Sequence, residues 1–214
     1  MERSLSTALR AFFAGPLNQL LVNLGGDNGQ VWESELNRFL RKEPCWFNDG
    51  TAITGPRQTK TWKTIKIGMQ KSCEDLSKVL ISNGFRISGW AVDVLKKVPL
   101  ADTEAEIELV LATVAKLGFQ KATRRGTIYS RARQLGLDLV PAEVGPQLRL
   151  AYTDQPMDEW ILMAMEPVAD SEGSLVVFSV DRGEDGQWLE INYGGIDEMW
   201  DPDVRWVFAR RKQI

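Results

Sequence analysis

The residues after Asp154-Gln155-Pro156 constrain the fold more than any other part of the chain. Four short apolar runs follow this point, and clusters of turn-forming Gly, Asp and Ser residues separate them. Runs of this length between such clusters predict β-strands. Strands joined by short turns are usually antiparallel, and they need a second layer to cover one face. The four predicted strands are Trp160–Val168, Leu175–Val180, Trp188–Asn192 and Val204–Arg210.

The preceding two-thirds of the chain are predicted to be mainly helical. Apolar residues at spacings of three and four mark one helical face over residues 5–24, and a second helix is expected over about 31–42. Three residues stand where helix N-caps are expected, namely Ser72, Ser88 and Thr123. A further helix is expected from Pro141 to about Tyr152, because proline is favoured in the first turn.

Residues 104–118 fit two structures. Odd-numbered apolar residues from Ile107 to Leu111 alternate as in a strand. Apolar residues from Ile107 to Leu117 also recur at helical spacing, and Gly118 follows them as a helix-ending residue. The length of the segment and the glycine at its end favour the helix.

These patterns together predict an α+β fold, in which a helical N-terminal two-thirds packs with a C-terminal antiparallel β-meander of about four strands. We expect an N-terminal helical region over residues 1–44, a linker over 45–60 and an α+β domain over 61–214. Within that domain the helices extend to about residue 152, and the β-rich acidic region covers 157–214. The N-terminal helical face is suited to packing within the fold or in a homo-oligomer.

The chain contains no histidine. This excludes Ser-His-Asp and Cys-His nucleophile systems, histidine zinc sites and imidazole acid–base catalysis. Two cysteines, Cys45 and Cys73, form no metal-binding spacing, and a reducing compartment is the simpler interpretation. No apolar run is long enough to span a membrane. We therefore expect a soluble cytoplasmic protein without membrane association, cofactor or metal site.

Charge is distributed unevenly along the sequence. Residues 1–100 carry 14 Lys and Arg against nine Asp and Glu, whereas residues 151–214 carry five against 14. A basic first half and an acidic last third suggest two surfaces with different partners.

Aromatic residues lie within the acidic last third. Tyr193 and Trp200 flank a Gly-Gly loop outside the predicted strands, and Asp197 and Asp201 are nearby acids. Aromatic faces beside carboxylates suit a sugar, a nucleobase or a cationic peptide. The leading hypothesis is a non-enzymatic binding or interaction module for a protein, peptide or small-molecule ligand, with these four residues as its site.

A second hypothesis is a nucleic-acid-binding protein resembling a winged helix. Helix, helix, helix and hairpin follow each other in the required order. The middle helix carries four arginines, and the next helix carries a fifth, which are suited to phosphates. These residues are Arg124, Arg125, Arg131, Arg133 and Arg149.

A third hypothesis is an enzyme that depends on carboxylates or on a carboxylate-bound metal. Asp158, Glu159 and Glu166 are the candidates for an acid–base pair, but their spacing gives no support beyond surface charge. The segment from Asp181 to Asn192 weakly resembles a calcium loop, although it lacks the acid at the twelfth position, and a hairpin turn is the preferred interpretation.

From about Trp62 to the C-terminus the sequence resembles a family of bacterial conserved hypothetical proteins found mostly in environmental genomes. The family has no assigned activity, so the resemblance implies a stand-alone bacterial protein and no chemistry. It is carried by Ile128–Ala132, Leu139–Leu150, Ala164–Pro167, Asp185–Leu189 and Arg205–Phe208, and by Phe39–Pro44 with Trp46, which is similar to the family's N-terminal signature.

Overall fold

The computed structural model describes residues 60–211 together with Glu33, Leu36, Asn37 and Leu40, which are helical. The chain divides into two units, Met1–Thr54 and Gly55–Ile214, and the second contains the elements described below. Apart from those four positions and Lys60, the predicted helical region and linker lie outside the described residues. The predicted homo-oligomer contact lies outside them as well.

Residues 60–211 form a curled nine-stranded sheet, a two-stranded sheet and four α-helices. The predicted helical two-thirds with a four-strand meander is therefore wrong, although the coarse α+β class is consistent with the structure. In chain order the strands are β1 (Lys63–Ile67), β2 (Arg86–Ile87), β3 (Ala105–Thr113), β4 (Thr123–Arg124), β5 (Leu137–Asp138), β6 (Trp160–Met163), β7 (Val168–Ala169), β8 (Leu175–Gly183), β9 (Gly186–Tyr193), β10 (Met199–Trp200) and β11 (Arg205–Arg210).

The large sheet takes strands from both halves of the described chain. Its order is β1-β3-β11-β6-β8-β9-β2, with β5 added to β11 and β7 added to β8. The last strand, β11, lies in the interior, antiparallel to β3 and parallel to β6. Strands occur in all four predicted segments of the last third, but Trp160–Val168 is divided between β6 and β7. The insertion of β11 makes these strands part of a mixed sheet rather than a meander.

The segment with the ambiguous pattern is a strand, so its prediction as a helix is wrong. β3 lies between β1 and β11, and Leu109, Val110 and Ala112 along it are all buried. A strand covered on both faces is apolar at consecutive positions, and these positions also fit helical spacing. Gly118 ends only a short 3₁₀ turn, with a φ of 106°.

Four helices accompany the large sheet in residues 60–211. No described helix combines the length and the apolar character needed to cross a membrane. The helices are α1 (Cys73–Ser82), α2 (Gly89–Leu95), α3 (Arg125–Gln134) and α4 (Val144–Ala151).

Two of the three predicted helix caps are confirmed. The Ser72 hydroxyl accepts a hydrogen bond from the Asp75 N–H at 3.1 Å, and the Ser88 hydroxyl accepts one from the Ala91 N–H at 3.2 Å. Thr123 lies in β4 instead, so its prediction as a cap is wrong. The two serines fix the starts of α1 and α2, because each satisfies a backbone donor that the first helical turn leaves free.

The large sheet is covered on both faces. On one face Tyr129 of α3 meets Trp206 and Phe208 edge-on, with ring centroids 5.5 and 6.3 Å apart. On the other face α4 packs so closely that a Cβ on Gly145 would lie 2.8 Å from the Cβ of Phe178. Glycine is therefore required there, which explains its place inside a helix.

Just before α4, the carboxylate of Glu143 is fully buried and joins two loops. It accepts hydrogen bonds from the Gly68 N–H at 2.7 Å and the Ala101 N–H at 2.8 Å. The Gln147 amide donates a third bond at 3.1 Å. A buried carboxylate needs such donors, because without them its desolvation is costly.

Arg149 of α4 is also fully buried, and its guanidinium holds the chain that follows the helix. It donates to the side chain of Gln155 and to the backbone oxygens of Tyr152 and Asp181. It also lies 5.1 Å from the ring of Phe85. Burial lowers the pKa of Arg149 to about 10, because desolvation disfavours the charged form.

Candidate functional site

A cleft of about 340 Å³ lies where β9 reaches the edge of the large sheet. Three separate parts of the described chain form it: the start of α2, the turn between β7 and β8 with the beginning of β8, and the second half of β9. Its lining consists of Trp90, Asp170, Glu172, Ser174, Val176, Glu190, Ile191, Asn192 and Tyr193. No lysine or arginine is among these residues.

The walls of the cleft combine acidic and aromatic side chains. Asp170, Glu172 and Glu190 supply three carboxylates. Trp90 is 50% exposed and Tyr193 is 67% exposed, so both rings are accessible. Large aromatic side chains are usually buried, and two exposed ones beside carboxylates form a surface that attracts cations by charge and by the face of the ring.

The turn between β7 and β8 is held by its own hydrogen bonds. One carboxylate oxygen of Asp170 accepts from the N–H of Glu172 at 2.9 Å and from that of Ser174 at 2.8 Å. Gly173 has a φ of 86°, which suits glycine. This rim is therefore ordered by Asp170, while Glu172 is exposed.

Behind the cleft, polar side chains form a network on one face of β8 and β9. The Asn192 amide donates to the hydroxyl of the buried Ser179 at 3.0 Å. Ser179 lies opposite Glu190 in the β8–β9 register. Burial raises the pKa of the Asp181 carboxyl, and the charge of Glu190 raises it further.

The four predicted ligand residues do not form one site. Tyr193 lines the cleft, but Trp200, Asp197 and Asp201 do not. Trp200 is packed against Trp206 with ring centroids 5.4 Å apart, and Asp197 lies 3.7 Å from Arg124. Asp201 is exposed at the end of β10.

The five arginines of the nucleic-acid hypothesis are also dispersed. Arg149 is fully buried, and Arg125 is buried with its Nε donating to the Gly195 oxygen at 3.0 Å. Arg131 donates to the Leu117 oxygen at 3.1 Å. Buried guanidinium groups bonded to the protein are not available to phosphates. The two with well-exposed side chains, Arg124 and Arg133, are 67% and 50% exposed. In addition, the first helix of the predicted winged-helix order is strand β3.

The predicted acid–base carboxylates do not converge. Glu159 is buried before β6, where it accepts from the Tyr152 hydroxyl at 2.7 Å and pairs with Arg205. Glu166 lies beyond the far end of β6 and pairs with Arg133 at 3.5 Å. Asp158 is exposed, with a φ of 60°.

The segment with the weak calcium-loop pattern forms the hairpin between β8 and β9, as the sequence analysis predicts. Gly183 faces Gly186 at the end of the β8–β9 pair, so only two residues form the turn. Among the described residues no group of three or more acidic or cysteine side chains is placed to hold a metal ion. Cys73 is a free thiol, and Cys45 lies outside the described residues.

Sequence reasoning missed most of the cleft. Trp90 follows the correctly predicted cap Ser88, but the sequence does not show that its ring is exposed, since exposure depends on tertiary packing. The acids of the β7–β8 turn had the appearance of ordinary turn residues. No protein-family model, curated protein or solved structure matches this chain.

Proposed function

We propose that this protein is a binding module that captures a cationic ligand in the cleft at the β9 edge. The observation that carries the proposal is the lining: three carboxylates and two exposed aromatic rings, with no basic side chain among them. Carboxylates attract a positive charge over a distance, and aromatic faces bind ammonium or guanidinium groups at contact.

Two of the three carboxylates in the cleft make no structural contact, which supports a role for them in binding. Asp170 orders its turn, whereas Glu172 and Glu190 have no described hydrogen bond or ion pair that occupies their carboxylates. Structural carboxylates elsewhere in the fold, such as Glu143 and Glu159, are buried and fully engaged. The cleft therefore retains negative charge that a ligand can neutralise.

The test uses calorimetric titration with an end-capped tetralysine peptide, with tetraserine and tetraglutamate peptides as controls. We expect saturable binding of tetralysine alone, weakened by added salt. Tyr193→Ala should weaken it about three- to tenfold, because a cation–π contact is lost. Glu190→Gln should weaken it about two- to fivefold, as expected for a partly exposed ion pair.

Two matched controls lie elsewhere. Glu106→Gln makes the same charge change on β3, near the β1 edge at the other end of the sheet. Ile81→Ala removes a 63% exposed apolar side chain from α1. Both should leave the tetralysine affinity unchanged. Binding that is absent, or that falls equally in all four variants, contradicts the proposal.

A further inference from the structure

We infer that the ligand is an extended basic peptide that adds a strand to the free edge of β9. This inference rests on the proposed function and specifies the partner of the same cleft. β2 pairs with β9 only at Arg86 and Ile87, opposite Trp188 and Leu189. The chain then enters α2 at Gly89, so no described strand pairs with Glu190–Tyr193 on that side.

The backbone groups of this segment point in known directions. The Gly194 N–H donates to the Leu175 oxygen at 2.7 Å, which places the even-numbered residues of β9 toward β8. The Ser88 N–H donates to the Leu189 oxygen at 3.2 Å on the opposite side. Because backbone groups alternate along a strand, the N–H and C=O of Ile191 and Tyr193 point away from β8, toward the side on which β2 pairs with the start of β9.

A free strand edge is normally protected by a lysine, a proline, a bulge, or a covering helix or loop. Residues 190–193 contain no lysine or proline, and they pair with β8 in continuous register. The helix α2 contacts β9, but its Trp90 is half exposed and lines the cleft, which leaves this side of β9 open to a ligand. Peptide recognition by strand addition uses such an edge, with backbone bonds for affinity and side-chain pockets for specificity.

The side chains of β9 specify the sequence pattern of the added strand. Glu190 and Asn192 lie on one face of the sheet, while Ile191 and Tyr193 lie on the other. A strand paired with this edge presents alternate side chains to the two faces. Cationic residues beside Glu190 and apolar residues beside Ile191 therefore match the cleft, and the preferred peptide alternates lysine or arginine with apolar residues.

The same charges disfavour a second copy of this chain as the occupant. Edge-to-edge pairing of two β9 strands would bring the acids of both cleft linings together, and like charges across a strand pair are destabilising. A basic peptide neutralises those carboxylates instead.

The experiment compares five probes by calorimetry on the full chain. They are spermidine, a pentapeptide that alternates lysine and valine, a pentapeptide of the same composition with its lysines in one block, and the alternating peptide N-methylated on one residue type at a time. Strand addition predicts that the alternating peptide binds about tenfold tighter than the blocked peptide or spermidine, since backbone bonds and both faces contribute.

N-methylation provides the sharper comparison. In a strand the amides of alternate residues point to the same side, so only one residue type pairs with β9. Methylation of one type should weaken binding about tenfold, and methylation of the other should change it little, because each backbone bond lost contributes to affinity. The residue type that is sensitive reports the direction of the added strand.

The outcomes separate the inference from the proposed function. If spermidine and all the peptides bind alike, the cleft is a cation site and strand addition is wrong, while the proposed function stands. If no cationic probe binds, the proposed function itself is wrong. A concentration-dependent dimer in sedimentation, without peptide binding, would assign the edge to a second copy and overturn the inference.

Discussion

The surroundings of α4 and the cleft at the β9 edge both contain acidic and polar side chains, but these make different contacts. Glu143 just before α4 and Arg149 within it are fully buried, and both are hydrogen-bonded to backbone or side-chain amide groups. Glu172 and Glu190 line the cleft and have no described hydrogen bond or ion pair. Charge that is buried and bonded fixes the fold, whereas charge that is left accessible is available for recognition.

The difference also assigns a role to the Leu139–Leu150 segment. This longest stretch of the predicted family resemblance contains Glu143, Gly145, Gln147 and Arg149, all of them buried. Because three of these buried residues are polar or charged, the segment is needed for packing within the fold. The family assignment stays a prediction, and its longest motif does not lie in the cleft.

The largest expected effect is a loss of stability at Gly68, in one of the two loops that the buried Glu143 carboxylate joins. Gly68 has a φ of 74°, and a Cβ there would lie 2.3 Å from the Thr103 oxygen. Gly68→Ala should lower the free energy of unfolding by about 3 kcal/mol, since backbone strain and a steric clash add. Urea unfolding measures the loss. An unchanged midpoint would contradict the strain and the clash with Thr103 from which this loss is expected.

Gly145→Ala should have a smaller effect on stability. The new methyl group would lie 2.8 Å from the Cβ of Phe178 in β8, so α4 must shift. We expect a loss of about 2 kcal/mol, typical of overpacking in a core. The matched control is Gly89→Ala at the start of α2, where a Cβ meets nothing within 4 Å. That variant should be neutral or more stable by about 0.5 kcal/mol, and equal losses in both variants would contradict the packing argument.

A pH-dependent effect of smaller size is expected at Asp181, behind the cleft. Burial raises the pKa of its carboxyl in the folded state, so ionised Asp181 opposes folding once the pH exceeds that raised value. Asp181→Asn should therefore gain stability relative to the parent at neutral pH. The gain should shrink as the pH falls through the raised pKa and vanish below the ordinary value of 3.8. Unfolding curves across this range measure it, and a gain independent of pH would exclude titration as its cause.

The sequence predicts those parts of the fold whose signals are local. The strands around Val177, Leu189 and Val207 are short apolar runs bounded by turn-forming residues. Ser72 and Ser88 mark the starts of two helices. The second half of β3 fits helical spacing as well as a strand, because Leu109 and Val110 are buried on opposite faces and the apolar residues there are consecutive. The interior position of β11 depends on long-range pairing with β3, and no local pattern encodes that pairing.

Of the residues that line the cleft, the sequence predicts only Tyr193 as a ligand residue. Trp90, the β7–β8 turn and β9 are distant in sequence, and the sheet edge brings them together. Trp200 lies in the same acidic part of the sequence as Tyr193, but its ring is packed against Trp160 and Trp206. Exposure separates Tyr193 from Trp200, and exposure depends on tertiary packing.

The most direct test measures unfolding free energy and tetralysine affinity for two variants that differ only in where the same change is made. Glu143→Gln should lose about 2 kcal/mol of stability, because one buried acceptor becomes a donor facing a backbone N–H, and should keep its affinity. Glu190→Gln should change stability by less than about 0.5 kcal/mol and lose affinity several-fold. Tetralysine affinity that survives Glu190→Gln but falls in folded Glu143→Gln would contradict the assignment of the β9 edge as the binding site.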